Sequence, residues 1–372
     1  MRIALVVFPL HYSHGCILQT YALYSKLKEL GCNVTILDRQ PEETPLLQCS
    51  LNITKRVVKR LVKGYKGAIF YRGWFPKQIM AEQNPFIDAF RHDIITVHSS
   101  AELRQIVHKR EFDSIVIGSD QTWRPCYVPN VMDYWLDFAF DMPIIKVAYA
   151  PSFGVDEWEY TPGQTAKCMQ LAAKFNAISV REESGVRLCK EHLGVDVKHV
   201  LDPTLLWDKS FYIPIAKKNP LESGFCHCYF LDQSPEKVFI ANQVAKMLNL
   251  KVNFINTRTE DGNAPVEKRV APSIEKWLAG FLYGEFIVVD SFHAMVFSII
   301  FQKSFIVIGN KGRGMSRFES ILSKLGLAGR LLTDSKTFED LVKDEIEWDS
   351  VNEKLNIYRD ESICYLKEAL NV

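Results

Sequence analysis

Apolar residues along this chain fall in short runs that stop at turn-forming residues and alternate with helical stretches. Ile3 to Phe8 reads as a buried strand, followed by a polar turn and a helix from about Gly15 to Leu30 that Gly31 ends. Asn33 to Leu37 is the next strand, and Ser114 to Ile117, Lys146 to Ala150 and Ala177 to Val180 are further strands. A second series begins near residue 200. Phe225 to Leu231, Lys251 to Ile255, Phe286 to Val289 and Phe305 to Ile308 are its strands. Pro235 to Asn249, Ser273 to Tyr283 and Ser291 to Gln302 are its helices. Alternation of this kind predicts parallel sheets with helices on both faces. The expected fold class is therefore α/β, with two Rossmann-like domains facing across a cleft. Residues 1–198 form the first domain and 199–345 the second, and 346–372 carry a C-terminal helix able to pack on either. Turn-forming residues collect at the join, between Gly194 and Pro220.

The length of 372 residues suits two such units. Hydrophobic residues make up 47% and charged residues 24%, the balance of a globular protein. The net charge of +1 excludes nucleic acid as a partner of the whole surface. Cys226 and Cys228 alternate onto one face of a strand and read as core, and the absence of a CxxC pair argues against a metal site. No apolar stretch approaches the roughly 20 residues of a spanning helix, and MRIALVVF is too short for a signal peptide's apolar core. The expected location is the cytoplasm, with contact at the inner face of a membrane as an option. That option rests on residues 55–77, where Lys55, Arg56, Lys59 and Arg60 begin a basic segment with Tyr65, Tyr71 and Trp74 interleaved. A solvated helix whose stems cover the core is the plainer reading of that segment.

Candidate chemistry gathers where strands end. After the first strand, His11, Tyr12, His14 and Gln19 stand at a turn leading into a helix and are candidates to meet a sugar. After Ile117, Gly118-Ser119-Asp120-Gln121-Thr122-Trp123 offers hydrogen-bonding groups and an indole to stack on a sugar face. After Val180, Arg181 carries a fork that clamps carboxylate or phosphate. Asp202 precedes Pro203 and reads as holding a turn. Val289-Asp290-Ser291-Phe292-His293 runs straight into a helix: Ser291 is a natural N-cap, and His293 sits in a first turn that favours an anion. Lys311, Arg313 and Arg317 follow in a loop with glycines able to wrap a phosphate.

Taken in order, these segments resemble the polysaccharide pyruvyl transferase family. The carrying residues are Gly15 to Gln19, Gly118 to Trp123, Ala148 to Gly154, Val180-Arg181-Glu182, Asp202-Pro203-Thr204, Asp290 to His293 and Ser316-Arg317, spanning about residues 10 to 330. Ser13-His14 and Ala294 depart from the family's usual small residues and bear on the acceptor pocket. The resemblance implies a GT-B-like pair of domains, phosphoenolpyruvate as donor and a sugar hydroxyl pair as acceptor, free or lipid-linked. No step of that transfer demands redox chemistry or a metal, so neither a cofactor nor a metal is expected. On this reading His293 is the general acid or holds the departing phosphate, Asp290 orients it, and Asp120 holds the acceptor. Arg181, Ser291, Lys311, Arg313 and Arg317 bind the donor, and His11, Tyr12, His14, Gln19, Gln121 and Trp123 bind the acceptor. Two rivals share the architecture: a glycosyltransferase using a nucleotide sugar, and a non-catalytic sugar-phosphate binding protein.

Overall fold

The structure, a computed structural model, describes residues 1–42, 53–55, 57–58, 78–255, 258–259, 261, 264–309, 314–333 and 337–372. Lys311, Arg313 and most of the basic segment 55–77 lie outside the described residues. Two all-parallel sheets form. The first has seven strands in the order β3-β2-β1-β4-β5-β6-β7: β1 (Arg2–Val7), β2 (Asn33–Arg39), β3 (Ile94–Val97), β4 (Ser114–Ile117), β5 (Ile145–Ala148), β6 (Ala177–Val180) and β7 (Lys198–His199). The second has five, in the order β12-β11-β10-β8-β9: β8 (Phe225–Tyr229), β9 (Lys251–Phe254), β10 (Phe286–Val289), β11 (Ser304–Ile308) and β12 (Leu331–Leu332). The expected fold class, two Rossmann-like domains facing across a cleft, is the one observed.

The central strands are apolar along their whole length because both faces of each sheet are covered. β4 and β10 are buried at every position. The first helix, His14–Glu29, begins at Ser13, whose Oγ accepts from the Cys16 N–H at 3.4 Å, and the chain turns out of it at Gly31 in the left-handed region. Three strands escape the apolar pattern. β3 is a half-exposed edge strand, and β7 and β12 have two residues each, too short for any periodicity. β7 pairs with β6 through Val180 and His199 and leads into residues 201–206, which Tyr149 holds at the Leu201 carbonyl and Arg181 and Ser119 hold at Asp202, so this segment stands with the first domain, past the expected boundary at residue 198.

One apolar cluster runs without a break from β1 through Leu201, Leu205 and Leu206 into the helix Phe292–Ile300 of the second domain. All nine residues of that helix are buried. The two domains therefore share a core, which opposes free rotation of one against the other. The C-terminal helix Trp348–Leu370 returns to the first domain. There Leu201 N–H donates to Ser362 Oγ (3.0 Å) and the Arg359 guanidinium donates to the Leu205 carbonyl (2.8 Å). Among the described residues no helix is long and apolar enough to cross a membrane.

Candidate active site

The carboxyl edges of the two sheets meet at a cleft of about 1170 Å³. In the first sheet the cleft opens between β1 and β4, whose onward connections leave in opposite directions; in the second it opens between β8 and β10 for the same reason. Such switch points leave a crevice that loops cannot fill, and ligands bind there.

The wall from the first domain is a buried ion cluster. Arg181, with its side chain wholly buried, donates to Asp202 Oδ2 at 2.8 Å and to Asp120 Oδ1 at 3.3 Å. Its Nε faces Glu182 Oε2 at 3.9 Å. Glu182 Oε1 accepts from Ser152 Oγ (2.9 Å) and Phe153 N–H (2.8 Å), fastening the Ala150–Gly154 turn. Asp202 Oδ1 accepts from Thr204 N–H (3.0 Å) and Thr204 Oγ1 (2.6 Å). Burial raises the Asp120 carboxyl, but Arg181, His293 and Arg317 outweigh it and hold the group below its ordinary value. Asp202 is lowered in the same way, burial being overcome by His293 and Arg181. Glu182 goes the other way: burial prevails over Arg181 and raises it. Asp120 and Ala150 both lie in the left-handed region at φ 78° and 55°, a strain of about 1 kcal/mol or more each. The Ser152 N–H bond to the Asp120 carbonyl, 2.8 Å, ties the two turns together.

Helix starts make the wall from the second domain. Ser291 occupies the N-cap position of Phe292–Ile300, and Arg317 lies in the first turn of Ser316–Leu325. The Phe292 ring carries Arg181 at 4.7 Å and Arg317 at 5.7 Å from its centroid. Burial, then the like charge of Arg181, push Arg317 down to about 10. A cation so disfavoured gains most from an anion in the cleft.

His293 joins the walls. Its Nε2 is the buried ring nitrogen, and it faces Asp202 Oδ2 of the first domain at 3.6 Å. Its Nδ1 lies over Gly15, where a Cβ would stand 2.1 Å away. The helix His14–Glu29 therefore starts against the start of Phe292–Ile300, and both positive ends meet at the cleft.

Several expected contacts are not what the structure builds. Asp290 does not orient His293: its oxygens accept from Leu231 N–H (2.6 Å), Asp232 N–H (3.1 Å) and Lys237 Nζ (2.6 Å), clamping the loop after β8. Arg181 turns to Asp120 and Asp202 and not to a donor in the cleft. Trp123 is wholly buried, stacked on Trp135 at 3.9 Å with its Nε1 donating to the Tyr134 carbonyl, so it meets no sugar. Gln19 is buried beside Thr20 and does not border the cleft.

His11, Tyr12, His14, Asp120, Gln121, Ser291, His293 and Arg317 do border it. His14 is buried, stacked on Trp277 at 5.2 Å and bonded through Nε2 to the Pro272 carbonyl of the second domain at 2.8 Å. Burial holds its pKa down to about 4, against that bond, so the ring is neutral at pH 7. Residues without a signal in the apolar pattern support the turn after β1. Asp38 Oδ1 accepts from Leu10 N–H (2.9 Å), and Gln83 Nε2 donates to the Tyr12 carbonyl (3.0 Å). Burial raises Asp38 to about 6 against its hydrogen bonds from Leu10 and Gln40. Its place at the end of β2, beside β1, was the available signal.

The polysaccharide pyruvyl transferase family model matches residues 14–312. The chain belongs to the polysaccharide pyruvyl transferase family. None of the curated proteins compared with this family member matches it. Among solved structures it is similar to UGT71G1 of Medicago truncatula complexed with UDP-glucose, at 10% identity and TM-score 0.51, covering 100% of this chain and 97% of that chain. It also matches the UDP-GlcNAc 2-epimerase from Neisseria meningitidis bound to UDP-GlcNAc, at 10% identity and TM-score 0.49, covering 97% of this chain and 94% of that chain. The first likeness speaks for the GT-B-like fold of this pyruvyl transferase family member.

Proposed function

We propose that the protein transfers the enolpyruvyl group of phosphoenolpyruvate to two hydroxyls of a sugar, forming a pyruvate ketal and releasing phosphate. The acceptor sugar belongs to a polysaccharide or its lipid-linked precursor. The observation that carries this reading is the meeting of His293, Arg317 and two helix starts at one cleft, over a carboxylate cluster from the opposite domain.

Phosphoenolpyruvate brings a phosphate and a carboxylate. Arg317, Ser291 and the start of Phe292–Ile300 suit those anions. The proton of His293 passes to the methylene carbon, which becomes the methyl group. The adjacent carbon turns cationic, and a sugar hydroxyl adds to it. Phosphate leaves, the second hydroxyl closes the ring, and of the two hydroxyl protons one restores His293 and one departs with phosphate. Asp120 and Asp202 provide fixed negative charge near the cationic carbon, in a site already organised before substrate arrives. Gln121, His11 and Tyr12 border the same cleft, and their polar groups suit the hydroxyls of the acceptor. Phosphoenolpyruvate is a cytoplasmic metabolite, and the reading places the reaction there.

The test is phosphate release from phosphoenolpyruvate with a lipid-linked oligosaccharide as acceptor, with product mass to find the added ketal. UDP-glucose serves as the competing donor. Release of nucleotide, or tight binding without phosphate release for any acceptor, would replace this reading with one of its rivals. His293→Ala should lower the rate about 100-fold or more.

A further inference from the structure

We propose that Asp202 and Gly15 of the first domain act as positioning residues for His293 of the second, fixing which imidazole nitrogen faces the cleft. The proposal rests on the acid role of His293 argued above, and goes beyond it to the residues that prepare the ring.

The observations come from both sides of the imidazole. Nε2 is buried and faces Asp202 Oδ2 at 3.6 Å. Asp202 cannot swing away, because Thr204 holds Oδ1 while Arg181 holds Oδ2 at 2.8 Å. A carboxylate fixed at one ring nitrogen keeps the proton there and leaves the other nitrogen for the substrate. That other nitrogen, Nδ1, lies over Gly15, which borders the cleft. A side chain at position 15 would fill the space against Nδ1, its Cβ only 2.1 Å away. Glycine is needed here for close approach, since its φ is not in the left-handed region.

Among the described residues, Asp202 faces the ring at 3.6 Å, Asp120 and His293 feel each other's charge, and Arg181 bonds both carboxylates, while Arg317 of the helix Ser316–Leu325 acts on Asp120. The helix His14–Glu29 presents Gly15, which is uncharged, and His14, which is neutral at pH 7. Asp202 is the negative group aimed at Nε2. Because it and His293 belong to different domains, the prepared acid exists only with the domains in this arrangement. The proton delivered from Nδ1 goes to the methylene carbon, while the charge of Asp202 stays opposite Nε2.

The experiment reads the His293 ring tautomer from its nitrogen NMR shifts in the intact protein without substrate, comparing the parent with Asp202→Asn and Gly15→Ala. The His293 signal is assigned by its loss in His293→Gln. In the parent the neutral ring should carry its proton on Nε2, and in Asp202→Asn that preference should be lost. The kcat for phosphate release should fall with it, with KM for phosphoenolpyruvate changing less than kcat. Gly15→Ala leaves every charge in place and should lower kcat about 10-fold or more, by displacing a general acid, while the fold persists by circular dichroism. An unchanged tautomer in Asp202→Asn, or Gly15→Ala working at the parent's rate, overturns the proposal. A changed tautomer in Asp202→Asn, in a protein whose parent releases no phosphate from phosphoenolpyruvate, would instead leave the positioning intact and defeat the proposed function.

Discussion

The two walls of the cleft are built from the same parts and charged differently. Each is the carboxyl edge of a parallel sheet at its switch point, and each presents a buried aspartate at a turn. In the first domain Asp202 keeps one oxygen turned to Arg181 and His293. In the second, Asp290 spends both oxygens on the loop after β8 and on Lys237. The second wall gives the cleft helix starts, His293 and Arg317, while the first gives it the negative charge. Neither wall is a site alone: His293 and the carboxylate that faces it come from opposite domains.

The comparison can be broken hardest at Arg181. Arg181→Met leaves Asp120, Glu182 and Asp202 buried without their cation and should destabilise the protein by about 3–5 kcal/mol, read as a fall in the urea midpoint. A second break uses pH. His14 at the domain interface and His227 in the second domain are held neutral by burial, at about 4 and about 3 against an ordinary 6.5. The unfolded chain binds their protons first, so their stabilisation is complete above pH 6.5 and is lost as pH falls towards those values. Urea midpoints between pH 7 and pH 5 should show a loss of roughly 2 kcal/mol for each group by pH 5.

Asp290→Asn sharpens the contrast between the two aspartates. It should cost about 1–3 kcal/mol by loosening the loop after β8, while the His293 tautomer stays as in the parent. The smallest effect is expected at Trp123→Phe. It removes one hydrogen bond and part of the Trp135 stack, costing about 1 kcal/mol with KM for the acceptor unchanged. An acceptor KM that rises sharply would return Trp123 to the sugar site.

Much of the fold was legible because parallel strands buried on both faces write themselves as plain apolar runs. β4 and β10 were found residue for residue, and β6 likewise. β3 was not, because an edge strand with one wet face has no such run, and β7 and β12 are too short to carry one. The site was legible as a set of strand ends. Its pairings were not. Asp290 stands near His293 in the chain but holds the loop after β8, whereas Asp202, 91 positions away, faces the ring. Trp123 follows a strand end like its polar neighbours, yet the chain turns it inward onto Trp135.

The sequence alone determined the alternation of strands and helices, and with it two sheets whose carboxyl edges had to carry the polar residues. Apolar period and turn chemistry act over a few residues, so they can be read along the chain. Which carboxylate faces which cation, and which nitrogen of His293 meets the cleft, was decided only by docking one domain on the other. Electrostatic partners are chosen by distance through space, and in this protein that distance closes only when the shared core around the helix Phe292–Ile300 is packed.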